Sequence, residues 1–203
     1  MKIKTSTQTI AVILTTAFFL TAAGAAQAQQ VAKKSTPAPP AAPAATGAVV
    51  EKFDFETGAA GWSAPAKTIS LGTATAPKKS GKASLKISGT SSAGLYNFAV
   101  SPRKDLQPGK QYQATAWLLV KEWDHAGTAP LLKIALYKDG KFLSNTFSNS
   151  YDLKKKNQWQ KLTVTVPTPT GGKIAGALSV EKGTQEQIKA MMNLDEVKLQ
   201  AVK

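Results

Sequence analysis

The chain has 203 residues, no cysteine, 26 basic against 12 acidic residues and a formal net charge of +14. Without cysteine it can hold neither a disulfide framework nor a thiolate metal site, so packing must stabilise whatever folds. A single arginine, Arg103, denies it the bidentate base and phosphate contacts of specific nucleic-acid recognition, and the positive charge points instead to anionic partners outside the cell.

Residues 1–28 have the layout of a bacterial secretory signal: Lys2 and Lys4, an apolar run from Ile10, then Ala26-Gln27-Ala28. The run is shorter than a bilayer span and no second one follows, so no transmembrane segment is expected after signal cleavage. Residues 29–48, rich in proline and alanine, cannot bury a core and read as a linker. Residues 49–203 are left as one domain, secreted or periplasmic.

From there the sequence alternates with period two and is broken by Gly, Pro, Ser and Asn every few residues, which predicts an all-β domain. Strands are expected near 49–55, 67–73, 82–88, 94–100, 111–120, 131–138, 141–148, 158–166, 173–181 and 191–201. Asp139-Gly140 suits a two-residue hairpin, and Pro108-Gly109 a type II turn. A helical turn has room only within 184–192. Parity puts Phe53, Phe55, Leu85, Ile87, Leu162, Val164, Val166, Val197 and Leu199 in the core, with Trp62 and Trp159 plugging the ends. So many short strands predict a β-sandwich or jelly roll.

Phe53-Asp54-Phe55-Glu56, Gly61-Trp62, Ser80-Gly81-Lys82-Ala83-Ser84-Leu85, Leu106 to Tyr112, Ala116-Trp117, Trp159-Gln160-Lys161 and Leu194 to Leu199 follow one another in an order that resembles the carbohydrate-binding modules of families four, nine and twenty-two. The resemblance implies a galactose-binding-like jelly roll that holds polysaccharide or cell-envelope glycan in a cleft or on a concave sheet face. It also implies a structural Ca²⁺, with Glu56, Asp195 and backbone carbonyls around Ser80 to Lys82 as ligands. Hard oxygen donors suit that ion, and Asp195, which shares parity with Val197 and Leu199, is expected to point inward and need a partner. The competing readings pair Lys82 with Asp195, or let the strand bulge and expose Asp195 to solvent.

Sugars stack their C–H faces on aromatic rings and bond amides through their hydroxyls. The candidate ligand-binding residues are therefore Tyr96 and Asn97; the cluster Tyr137, Asn145, Phe147, Asn149 and Tyr151; Trp123 and His125 in a turn-rich segment, 121–130; and Trp117, which suits either the core or a concave face. No nucleophile elbow, zinc-protease motif or phosphate loop is present, so the expectation is binding without catalysis. The alternatives are an adhesion protein whose lysine-rich surface holds anionic polymers, and a polysaccharide lyase using His125 with a tyrosine as base and acid.

Overall fold

The computed structural model describes residues 47–202. The chain divides into two units, 1–41 and 42–203, and every described residue belongs to the second. The expected signal segment, and all but the last two residues of the expected linker, lie outside the described residues.

Eleven strands form the domain: β1 (Val49–Phe53), β2 (Ile69–Ala74), β3 (Ser84–Ser91), β4 (Asn97–Val100), β5 (Lys104–Leu106), β6 (Gln111–Trp123), β7 (Leu131–Lys138), β8 (Lys141–Ser150), β9 (Gln160–Pro167), β10 (Ile174–Glu181) and β11 (Ile188–Val202). They pair antiparallel into two sheets. One runs β2-β3-β11-β6-β9, with β1 beside the second half of β11; the other runs β4-β10-β7-β8, with β5 also on β10. The all-β sandwich expected from the alternation is what the chain adopts.

The ten expected strands are all present, with ends shifted by a few residues. The eleventh, β5, is three residues long, and β11 starts at Ile188, so residues 188–192 are strand and not a helical turn. Asp139 and Gly140 have φ of 51° and 80°, as a type I′ hairpin demands.

Between the sheets the core is apolar. Leu85, Ile87, Leu118, Val120, Leu162, Leu194 and Val197 come from the six-stranded sheet, and Phe98, Leu132, Ile134, Ile174 and Leu178 from the other. Trp62 closes one end, edge-on to Phe53 at 5.6 Å and Phe55 at 6.1 Å. Trp159 is only half-buried, so it plugs less than expected.

Candidate functional site

In the five-stranded sheet the register places Leu132, Ile134 and Leu136 against Val180, Leu178 and Gly176 on the core side. The alternate residues therefore face away from the core: Lys133 beside Ser179, Ala135 beside Ala177, Tyr137 beside Ala175. On the next strand Phe147 stands beside Lys133 and Asn145 beside Ala135, and on the far side Asn97 stands beside Glu181. An outward face normally meets water, yet Lys133, Ala135, Ala177, Ser179 and Glu181 are all buried. Neighbouring side chains therefore cover these positions, and the outward face they line is termed the trough.

One end of the trough is ionic. The Lys133 ammonium lies 2.5 Å from a Glu181 carboxylate oxygen and donates to the Asn97 side-chain oxygen at 2.8 Å. At the other end Arg103, just before β5, lays its guanidinium 3.5 Å over the Tyr137 ring. The small side chains of Ala175 and Ala177 leave room for it to cross β10. Tyr137 is also edge-on to Phe142 at 6.1 Å. Three of the six exposed large apolar side chains, Phe142, Leu143 and Phe147, lie on β8, so this strand carries the apolar wall.

The structure brings Asn97, Tyr137, Asn145 and Phe147 to this one face. The other aromatic and amide candidates lie elsewhere. Trp123 ends β6 rather than standing in a loop: it is 6 % exposed, packs on Phe98 and donates its indole N–H to the Thr128 carbonyl. Tyr151 is buried, its hydroxyl held by the carbonyls of Lys155 and Gln158. Asn149 accepts the Thr163 amide and so bridges toward β9. Trp117 faces out from the six-stranded sheet with the Lys79 ammonium 4.1 Å over its ring. Tyr96 is exposed and accepts from Gln185 at its hydroxyl.

His125 closes the end of the sandwich. Its Nδ1 accepts the Gly127 amide, so Nε2 carries the proton and faces Glu186 at 2.6 Å. Lys182, beneath it, is fully buried and donates to the carbonyls of Ser91, Ser92 and Glu186; burial pulls its pKa below the ordinary lysine value. Beside His125 a groove of about 490 Å³ is lined by Trp123, Asp124, Leu153, Lys154 and Lys156, and it adjoins another of about 350 Å³ that adds Lys121 and Lys189.

The family model for a carbohydrate binding domain matches residues 47–187, more than half of the chain. The chain belongs to this family. Its fold is similar to the CBM22-1 xylan-binding domain from Paenibacillus barcinonensis Xyn10C, with TM-score 0.55 and 21% identity over 79% of this chain and 98% of that one. It is also similar to the N-terminal CBM22-1-GH10 modules of Clostridium thermocellum endo-1,4-beta-D-xylanase 10B complexed with xylohexaose, with TM-score 0.57 and 15% identity over 75% of this chain and 28% of that one. A family 16 carbohydrate binding module gives TM-score 0.50 at 16% identity, over 75% of this chain and 99% of that one. The chain has no match among curated proteins.

In this carbohydrate-binding domain Asp195 does not point inward. The ladder between β11 and β6 slips between Asp195 and Lys198, and Glu196 has φ 47°. The bulge reverses parity, so Asp195 lies beside Trp117 on the outer face and Val197 returns to the core. Asp195 is buried there by the segment preceding β3. One oxygen accepts the amides of Lys79 and Ser80 at 2.7 and 3.2 Å, the other the Glu196 amide at 2.7 Å.

From the other side Glu56 accepts the Lys82 amide at 2.7 and 3.0 Å, while the Lys82 side chain is exposed and makes no pair with Asp195. Gly81 permits this: its φ is +59°, and a Cβ would meet a Glu56 oxygen at 1.8 Å. Both carboxylates thus converge on residues 79–82, and each keeps lone pairs beyond those the amides use. The donor set suits a hard cation, although the amides already account for the hold on the loop.

Proposed function

We propose that the protein binds polysaccharide without altering it, as an exported bacterial protein, and that the glycan lies in the trough on the five-stranded sheet. The observation that carries this reading is the buried floor of an outward sheet face, flanked by the exposed Phe147 ring and by Asn97 and Asn145. Apolar rings to stack on sugar faces beside groups that bond hydroxyls are what glycan recognition needs. The similarity to a xylan-binding domain makes xylan the first polymer to try.

The lyase alternative would need His125, whose two ring nitrogens already engage the Gly127 amide and Glu186. Among the described residues no helix is long and apolar enough to cross a membrane. The expected Ca²⁺ stands as a structural proposal, held by Glu56, Asp195 and carbonyls of 80–82, where it would fix the loop over Trp117.

The second reading, adhesion to anionic polymer, is favoured by the paired grooves at the end of the sandwich, where Lys121, Lys154, Lys156 and Lys189 outnumber Glu122 and Asp124. Affinity gels cast with neutral and acidic polysaccharides, run at low and high salt, separate the two. Salt-resistant retardation weakened about fivefold by Phe147→Ala supports the trough, since loss of one aromatic stack costs roughly 1 kcal/mol. Retardation that vanishes in salt and in Lys154→Ala/Lys156→Ala supports the grooves.

A further inference from the structure

The trough carries several charges, and nearly all of them are neutralised within it. Lys133 is paired with Glu181 at 2.5 Å, and Lys173 with Asp105 at 3.9 Å. Arg103 is different. It is exposed, its guanidinium carbon lies 3.5 Å over the Tyr137 ring, and among the described residues no carboxylate stands within ion-pair distance and no hydrogen bond occupies its five N–H groups. The ring holds the guanidinium plane fixed while leaving its edge free.

A planar, immobilised guanidinium with a free edge is matched by one chemistry above others, a carboxylate taken through two parallel N–H···O bonds. Building on the glycan-binding reading, we propose that the trough selects an acidic polysaccharide and that Arg103 is the specificity-determining residue, reading the carboxylate of a uronic acid unit. The sugar ring bearing that carboxylate lies toward Phe142 at the start of β8, and the uncharged units run over Ala135, Ala177 and Ser179 toward Phe147 and Asn97. Tyr137 is the positioning residue. It keeps the fork from collapsing onto Asp105 or Asp139 and lowers the conformational entropy lost on binding.

The test uses one polymer in two forms, glucuronoxylan and the same glucuronoxylan with its carboxyl groups reduced to alcohols, titrated by calorimetry into the wild-type protein and its variants at moderate salt. The expected result is that the native polymer binds about tenfold more tightly than the reduced one, the gain of one charge-assisted, solvent-exposed contact. Arg103→Gln removes this preference while binding the reduced polymer as the wild type does, and Arg103→Lys, which keeps charge but loses the fork, retains only part of it.

Equal binding of both polymers by the wild type overturns the inference and leaves the glycan reading standing. Equal loss of both in Arg103→Gln also overturns it, because Arg103 then only shapes the Tyr137 platform. A preference that survives Arg103→Gln but disappears in Lys154→Ala/Lys156→Ala moves the acidic contact to the end grooves. If neither polymer binds a folded wild-type protein, the trough as a glycan site falls first, and Arg103's role with it.

Discussion

Glu181→Gln tests whether the floor of the trough is as closed as the geometry makes it. Glu181 and Lys133 are 5 % and 6 % exposed, and their charges meet at 2.5 Å on a sheet face where ion pairs are usually wet. Removing one charge from a buried pair typically costs about 3–5 kcal/mol, because the other stays desolvated without compensation. The pair lies on an outward sheet face and not in the core, so the lower end, about 3 kcal/mol, is the expected loss. For a domain of this size each kcal/mol shifts Tm by roughly 2–4 °C, which gives a fall of about 6–12 °C. Replacing both partners, as Lys133→Met/Glu181→Leu, removes the stranded charge and is expected to return stability to within about 1 kcal/mol of the wild type. Urea unfolding followed by tryptophan fluorescence reports it, since Trp62 and Trp123 are buried. A single-variant loss below about 1 kcal/mol, or a double variant as unstable as the single, would show that water reaches the pair and that the trough has no closed floor.

Trp123→Ala is expected to cost about 3–5 kcal/mol by emptying a core position, whereas Trp123→Phe, losing mainly the bond to Thr128, costs about 1 kcal/mol; thermal melts decide both. Lys182 gives a pH dependence. Its folded pKa lies below the unfolded value, so the unfolded chain binds more protons between the two, and this group's contribution to stability rises with pH up to about 10.5. Melts from pH 8 to 10.5 should show that rise in the wild type relative to Lys182→Met, and parallel curves would contradict it. Asp195→Asn is expected to lower stability by about 1.5–3 kcal/mol through its three amide bonds. Chelator and added Ca²⁺ should move the wild-type melt and not that of Asp195→Asn if a calcium ion is also held there, and a melt indifferent to both leaves the amides as the whole role.

The alternation that betrays a sandwich was legible along most of the chain, because β7 and β8 flank an Asp-Gly hairpin and β9 reads Leu162, Val164, Val166 without interruption. Sugar chemistry, not alternation, picked out Asn97, Tyr137, Asn145 and Phe147 among the aromatic and amide candidates, and only the register of β4, β7, β8 and β10 puts them on one outward face. The alternation failed at Asp195, where a bulge carried by Glu196 in the left-handed region leaves no glycine to announce it. It failed at Trp123 because Lys121 and Glu122 look like loop, whereas β11 starts early enough for Ala190 to pair with Trp123 and prolong β6. Lys133 and Glu181 alternate with apolar residues and read as solvated positions. What buries them is their assembly with neighbours from β4 and β8, distant in sequence, which no local pattern records. Arg103 was noticed only for being the single arginine, and its place over Tyr137 depends on a three-residue strand too short to signal itself.

The central claim is that glycan occupies the trough, and amide chemical-shift mapping with xylohexaose tests it most directly. The account predicts saturable shifts at Asn97, Lys133, Ala135, Asn145, Phe147, Ala177 and Ser179, with His125, Lys154 and Lys156 unmoved. Saturable shifts confined to residues 121–128 and 153–156, or none at any xylohexaose concentration, would contradict it.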